Sequence, residues 1–469
     1  MIEFERISVL RKEVEKIMYH HTAAPQQKDF SQGKIWRIIT EQAVPLTIAQ
    51  LIHLLYNVVD RIYIGHLPQV GSLALTGVGL TFPFSTFILA FANLFGTGGT
   101  PLFSIARGAG QEERAKQILG NVFTLSVVSS VVIFGLCYYF RVPVLYLFGA
   151  SDATIGYAES YLQVYLYGVL FSMIVTGMNG FISALGFPRT AMWTTIIGAV
   201  LNLILDPIFI FGLNMGVQGA AAATVISQGV SALWIMKFLL GKQNEYRLTL
   251  AHMKLKAGLM KDILGLGVTG FMQQFTNCLV QIVCNATLQT YGGDVYVGIM
   301  TIINSIREIA SLPVSGLSSG AQPVLGYNYG AGKPHRVKEG IRFMSIAGVV
   351  YTAVMWLVIL LFPGLFIRIF SNDAQTIALG VRATRIYFMG FVFMSLQFMG
   401  QSTFVGLGKA KRAVFFSILR KVVIVVPLTL LFPVFLGTDG VFLAEPVSNL
   451  VGGLACFVTM WITVYRKLE

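Results

Sequence analysis

The chain has 469 residues, 55% of them hydrophobic and only 12% charged, with a mean hydropathy of +0.71. Soluble domains carry about a quarter charged residues, so a water-soluble globular fold is excluded. A net charge of +13 would suit a nucleic-acid partner, but it is parcelled into short connections rather than spread over one basic face with interleaved aromatics, which argues against that class.

The first 34 residues are charged and polar, unlike a cleavable signal peptide. Within them Ile7, Leu10, Val14 and Ile17 recur at helical spacing among Arg6, Arg11, Lys12 and Lys16. That pattern fits a short amphipathic helix on the cytoplasmic membrane surface, or else a disordered leader. Apolar runs of membrane-crossing length follow near 36–64, 73–98, 117–141, 157–186, 190–213 and 218–240. After a basic linker come runs near 259–290, 295–322, 340–366, 379–407, 412–436 and 440–465. The expected fold is therefore an all-α polytopic membrane protein of twelve transmembrane helices in two pseudo-symmetric six-helix lobes. Its segments are a cytoplasmic N-terminal segment (1–34), an N-terminal lobe (35–240), a cytoplasmic linker (241–258) and a C-terminal lobe (259–469).

Of the 34 Lys and Arg residues, 28 fall at the two ends or in the alternate connections 99–117, 187–191, 237–261, 329–342 and 409–421. The opposite connections are poor in them and carry Asp152, Asp294, Asp373 and Asp439. This positive-inside pattern places both termini in the cytoplasm of a multi-pass cell (inner) membrane protein. Cys137, Cys278, Cys284 and Cys456 are scattered through apolar stretches without His or paired Cys, so neither a disulfide framework nor a zinc site is implied.

The two halves match each other. Ala184-Leu185-Gly186 with Arg189 reappears as Gly406-Leu407-Gly408 with Lys411, and Gly108-Ala109-Gly110 as Gly330-Ala331-Gly332, each 222 residues later. Leu147-Phe148 before Asp152 parallels Ile369-Phe370 before Asp373, and Gly219 with Ser227-Gln228 parallels Gly440 with Ser448-Asn449. A shift spanning six helices gives both halves the same orientation, with a cleft between two lobes of one monomeric chain. That is the architecture of a secondary transporter working by alternating access.

The halves differ in their acids. Asp60 lies late in the first span and corresponds to Ile282; Asp206 lies deep in the fifth and corresponds to Pro427 or Leu428. An ionisable group at mid-bilayer costs about 2.5–3.5 kcal/mol on insertion scales, so its retention in one half only marks function. Asn202 stands one helical turn from Asp206 on the same face, and a carboxylate with neutral oxygens suits a hard monovalent cation or a carried proton. A helix cap or a pair with Arg61 is the structural alternative for Asp60. Pro45 interrupts the first span and is expected to bend it. Among other interior groups, Arg307-Glu308 either pair between helices or line the cleft, and Glu445, near the outer interface, is either a solvated carboxylate or part of a site. His53 is read as a helix–helix hydrogen bonder. Gly316-Leu317-Ser318-Ser319-Gly320 lacks the strand–turn–helix setting of a hydrolase elbow, and there is no Walker A sequence, so neither an enzyme nor an ATP-driven pump is expected.

With these features the chain resembles the multidrug and toxic compound extrusion (MATE) transporters, prokaryotic branch. The resemblance rests on Asn57-Val58-Val59-Asp60, Ala184-Leu185-Gly186 with Arg189, Asn202…Asp206-Pro207-Ile208-Phe209 and Gly216-Val217-Gln218-Gly219-Ala220-Ala221. It implies a cation-coupling site of Asp60, Asn202, Asp206 and Thr224, joined by Tyr161 and Asn179, with Pro45 as the bending proline. A branch with C-lobe acids is not matched, since Gln273, Gln274, Met394 and Gln397 stand on the relevant spans. The implied function is an antiporter, driven by Na⁺ or H⁺ and needing no cofactor, that exports amphipathic organic cations and lives among membrane lipids. The rival reading is a flippase for a lipid-linked glycan. That reading requires a basic cleft, for which the sequence offers Arg307 and Arg61 as deep arginines.

Overall fold

A computed structural model describes residues 29–67, 71–241, 244–371 and 373–468. The amphipathic helix expected around residues 7–17 lies outside them. In the first half, α1 (Ile35–Gly65) is followed by α2 (Gly71–Gly79) and α3 (Phe82–Gly108), which together make the second span. α4 (Glu112–Leu147) is the third span. α5 (Ile155–Leu166) and α6 (Val169–Ala184) make the fourth, bent by 58°. α7 (Pro188–Pro207) continues into a π-helical turn at Ile208–Gly212, and α8 (Gly216–Leu240) closes the half.

The second half opens with α9 (Ala257–Gly330), then α10 (Pro334–Leu361) and the short α11 (Pro363–Arg368). α12 (Ala374–Phe388) and α13 (Phe391–Gly406) form a span bent by 43°. α14 (Ala410–Ile418), a π-helical stretch at Leu419–Val425 and α15 (Val426–Leu436) form the next, and α16 (Thr438–Thr463) the last. No strand occurs among the described residues, as lipid requires of a chain that must satisfy its backbone groups within each segment.

The 74 residues of α9 would reach about 110 Å if straight. Instead the backbone breaks at Gly293, whose φ of 70° and ψ of −168° are open only to glycine. The two arms fold together, because Cys284 and Leu288 on one side share a core with Ile299, Met300 and Ile303 on the other. α9 is therefore the seventh and eighth spans. With nine helices of spanning length and two bent pairs among the described residues, this fold makes twelve spans.

The motifs that mark the repeat are helix ends. Gly110, Gly186, Gly332 and Gly408 all have positive φ, between 64° and 96°. After each, the next residue's amide reaches back to close the helix: Gln111 N donates to Ala106 O at 2.9 Å, and Phe187 N to Ile182 O at 3.1 Å. The second half repeats this with Lys333 N to Asn328 O and Lys409 N to Phe404 O, at 2.9 and 2.7 Å. Glycine there satisfies the last carbonyls without a Cβ penalty, so each pair of halves stops its helices at equivalent points.

Two departures from the sequence reading concern helix length. The second span runs on from residue 98 to Gly108, and the eighth from 322 to Gly330. Gly/Thr-rich sequence there reads as a breaker, but the glycines are contact points between the halves. A Cβ on Gly108 would overlap the carbonyl of Tyr327, and one on Gly330 that of Ile105; Gly98 and Gly267 likewise sit against Ile263 and Leu94. These approaches lie toward the end of the molecule that carries the chain termini, and they bring the two halves together there.

The first span of each half also begins in the other half's core. Ile35, Ile38 and Ile39 of α1 pack with Val324, Leu325 and Ile341, whereas Ile64 packs with Ala74, Ile210 and Ala220. Reciprocally, Ile263 of α9 packs with Phe103, Ile118 and Phe181. Substituting Gly330 by Val is expected to lower stability by about 1–3 kcal/mol through overpacking. Thermal unfolding of the purified protein in detergent measures it, with the Ala331→Val change just beyond the contact as the reference.

Candidate functional site

Polar groups gather at one place in each half. In the first half, Asp60 lies five residues before the end of α1 and Asp206 one residue before the end of α7. Their carboxyl groups meet within hydrogen-bonding reach. Asn202, one turn earlier on α7 and 2% exposed, donates from Nδ2 to Asp206 Oδ1 at 3.1 Å. The same amide points to Thr224 Oγ1 of α8 at 3.4 Å. Asp60 Oδ1 and Asp206 Oδ2 are buried and have no hydrogen-bond donor. Tyr161 on α5 is 7% exposed, stacks on Tyr165 at 5.7 Å between ring centroids, and stands within electrostatic reach of both acids.

Four of the residues expected to act together are thus joined, with Tyr161 beside them. Asn179 is placed elsewhere: it donates to Ala191 O at 3.1 Å. Ala191 is eleven residues before Asn202, about 16 Å along the helix. Pro45 lies inside an unbroken α1. Its neighbours Ala43 and Thr47 sit against Gly320 and Gly316 of the eighth span, so the proline falls where α1 leaves the second half's core. His53 meets Tyr56 and Asn57 of its own helix, with Asn57 Nδ2 at 3.0 Å from its ring, rather than another helix.

The second half holds charges that the sequence reading assigned to solvent. Arg420 and Lys421 were counted in a basic connection, yet they sit in the π-helical stretch between α14 and α15, eleven residues into the span for Lys421. Lys421 is 6% exposed and Glu445 4%. Glu445 Oε1 accepts from Arg420 Nη1 at 3.0 Å and from Lys421 Nζ at 3.3 Å, and Arg420 also donates to Asn449 Oδ1 at 2.7 Å. Glu445 is therefore a buried ion-pair partner and not an interfacial carboxylate. Beside this cluster a cavity of about 190 Å³ is lined by Arg307, Glu308, Lys421 and Glu445 together with amides and hydroxyls. The available signal was Arg420-Lys421 standing about two turns past the start of an apolar run, with Glu445 as the acid in the next one; the charge-asymmetry rule absorbed it.

A two-lobed bundle of twelve spans with polar groups buried in each half has the architecture of a polytopic membrane transporter. The family model described as MatE matches residues 45–208 and again 271–431, once in each half. The chain belongs to the MatE family. It is 25% identical to the multidrug export protein MepA of Staphylococcus haemolyticus (strain JCSC1435), covering 92% of this chain and 94% of that one. MepA of Staphylococcus aureus (strain MRSA252) is 22% identical over 92% and 95%. A crystal structure of MATE in complex with MaL6 superposes with a TM-score of 0.87 at 25% identity, covering 93% of this chain and 98% of that one. A MOP superfamily transporter from Pyrococcus furiosus, described by the reverse polarity of its binding pocket, gives 0.87 at 26% identity over the same shares. Among the described residues no three His, Cys, Asp or Glu side chains gather as a metal site.

Removing one member of a buried ion pair leaves the other uncompensated, at about 3–5 kcal/mol. Glu445→Ala is expected to destabilise the protein by that order in denaturant titrations in detergent. Lys421→Met combined with Glu445→Gln is expected to recover a large part of the loss.

Proposed function

We propose that the chain is a multidrug exporter of the cell membrane, both termini cytoplasmic, that exchanges amphipathic organic cations for Na⁺ or H⁺ at the Asp60–Asp206 pair. The observation that carries this reading is two neighbouring carboxyl groups, each with a buried oxygen lacking a donor. Two such charges 4 Å apart repel by about 4 kcal/mol at an effective dielectric of 20. A proton or a monovalent cation between them removes the repulsion, with the Thr224 hydroxyl as a neutral oxygen nearby and Asn202 holding Asp206 in place through its amide N–H. A cationic drug offers the same compensation from the cleft. Ion and drug therefore compete for one charge, and the competition couples their movements provided their relative affinities differ between the two states of the cycle.

In the proposed cycle, ion binding at Asp206 from the open side neutralises the pair and relaxes α1 about Pro45. Tyr161 belongs to the polar wall that follows this movement, while Asn179, bonded to Ala191, ties the fourth span to the fifth. The position of Pro45, between the residues of α1 that rest on Gly316 and Gly320, supports its role as the hinge. The positive-inside distribution supports the orientation, and two lobes in one chain support a working monomer surrounded by lipid. The names of the MepA relatives support drug export. The flippase reading gains Arg420 and Lys421 beside Arg307, and vesicles offered either a dye-like cation or a lipid-linked sugar separate the two.

Asp206→Asn is expected to slow gradient-driven export of an ethidium-type cation at least about tenfold, the loss of roughly 1.4 kcal/mol of differential binding. Proteoliposomes with pH and Na⁺ gradients imposed separately measure it and identify the driving ion. A folded mutant exporting at the wild-type rate sinks the assignment.

A further inference from the structure

The cavity of the second half has the opposite electrical character from the acid pair. Arg307 lies thirteen residues past Asp294 on the eighth span, and Lys421 eleven residues into the eleventh, so both are near mid-membrane. Three cations, Arg307, Arg420 and Lys421, stand around one buried acid. That acid, Glu445, is already shared by two of them. Glu308 also lines the cavity, but it is exposed and reaches the open side. Setting exposed Glu308 aside, this buried to half-buried cluster holds two more basic than acidic groups. Arg307 Nε is buried and has no acceptor, and Arg420 Nε is in the same state.

Unbalanced buried charge is costly in a poorly solvated interior, and an unmet guanidinium donor adds to that cost. The least costly remedy is an anion. The cavity of about 190 Å³ has room for about six waters at roughly 30 Å³ each, enough for a carboxylate or phosphate group. Its other walls supply Asn277, Gln281 and Asn304 amides and the Tyr387 hydroxyl, all able to donate. A planar guanidinium opposite an ammonium is a geometry that grips an oxyanion and repels a cation.

We propose that this cavity is a binding site for an oxyanion, a carboxylate or phosphate borne by a soluble organic molecule or by a lipid headgroup. Arg307 and Lys421 are its charged contacts. Arg420, bonded to Glu445 and Asn449, holds that acid in place and so leaves Arg307 for the ligand. The inference goes beyond the exchange of cations at Asp60 and Asp206, since it concerns the other half and a ligand of the other sign. The chain would then accept anions or zwitterions besides cations.

The test is calorimetric titration of the full-length protein in a neutral detergent. The probes are 2-naphthoate, neutral 2-naphthylmethanol, inorganic phosphate and decyl phosphate. Expected is binding of 2-naphthoate at least about tenfold tighter than the neutral analogue, the weight of one charge-assisted bond. Arg307→Gln should remove that preference, Arg307→Lys should retain part of it, and Asp206→Asn should leave it unchanged. Should Arg307→Gln fail to fold, Asn304→Phe fills the cavity with every charge intact and should weaken naphthoate equally. Competition by decyl phosphate but not by inorganic phosphate assigns the site to a lipid headgroup; the reverse assigns it to a soluble anion. Equal affinity for naphthoate and naphthylmethanol overturns the proposal, as does an Arg307→Gln or a cavity-filled protein that binds like wild type, or displacement by neither phosphate.

Discussion

Toward the end that carries the chain termini, backbone rests on backbone: Gly108 of α3 against Tyr327 of α9, and Gly330 of α9 against Ile105 of α3. Such an approach leaves no space for a side chain. In lipid the gain is van der Waals contact between helices, because the surrounding tails are as apolar as the helix faces. The contact ties the two halves together toward that end. It relates the halves by their own repeat, since the two glycines are equivalent positions. The swapped starts of the first and seventh spans strengthen this joint, each anchoring one half in the other's core. Motion about such a joint needs a bendable element crossing it, and in the proposed cycle α1 at Pro45 is that element.

The two polar centres are distant in sequence but follow one rule. Each lies at or beside a π-helical turn, Ile208–Gly212 after Asp206 and Leu419–Val425 around Arg420 and Lys421. A π-turn widens the helix and exposes backbone groups, a local cost that proteins retain chiefly at functional positions. The fifth and eleventh spans are equivalents, but at the 222-residue offset Leu419–Val425 corresponds to residues 197–203, so the two distortions lie at different levels of equivalent spans and the charges beside them differ in sign. One half gathers acids and neutral oxygens; the other gathers cations around a single acid. A low dielectric makes each set consequential, because charges that water would mute interact there at several times the strength.

Much of the architecture was legible in advance. The twelve apolar runs, the 222-residue repeat and the glycine-ended motifs all read correctly, because lipid forces helices of fixed length and glycine alone caps them in the left-handed region. Asp60, Asn202, Asp206 and Thr224 were expected together and are together. Arg420 and Lys421 were misplaced, because the rule that gives basic residues to connections cannot tell a residue at the foot of a span from one eleven residues up it. Asn179 was expected near the acids and bonds instead to Ala191, since hydropathy does not say which face of a bent span looks inward. The bends of 58° and 43° in the fourth and tenth spans had no clear mark in the sequence.

By itself the sequence determined what each segment must be: membrane-spanning, helical, duplicated, and acidic in one half. These are properties of local composition and spacing, set by the transfer of side chains and peptide groups into hydrocarbon. Tertiary structure alone decided which charges meet. Asp60 and Asp206 are 146 positions apart and Arg307 and Glu445 138, and only the packing of helices against one another brings such groups to a common depth and face. That packing is a global compromise among many weak contacts, so no short stretch of sequence encodes it.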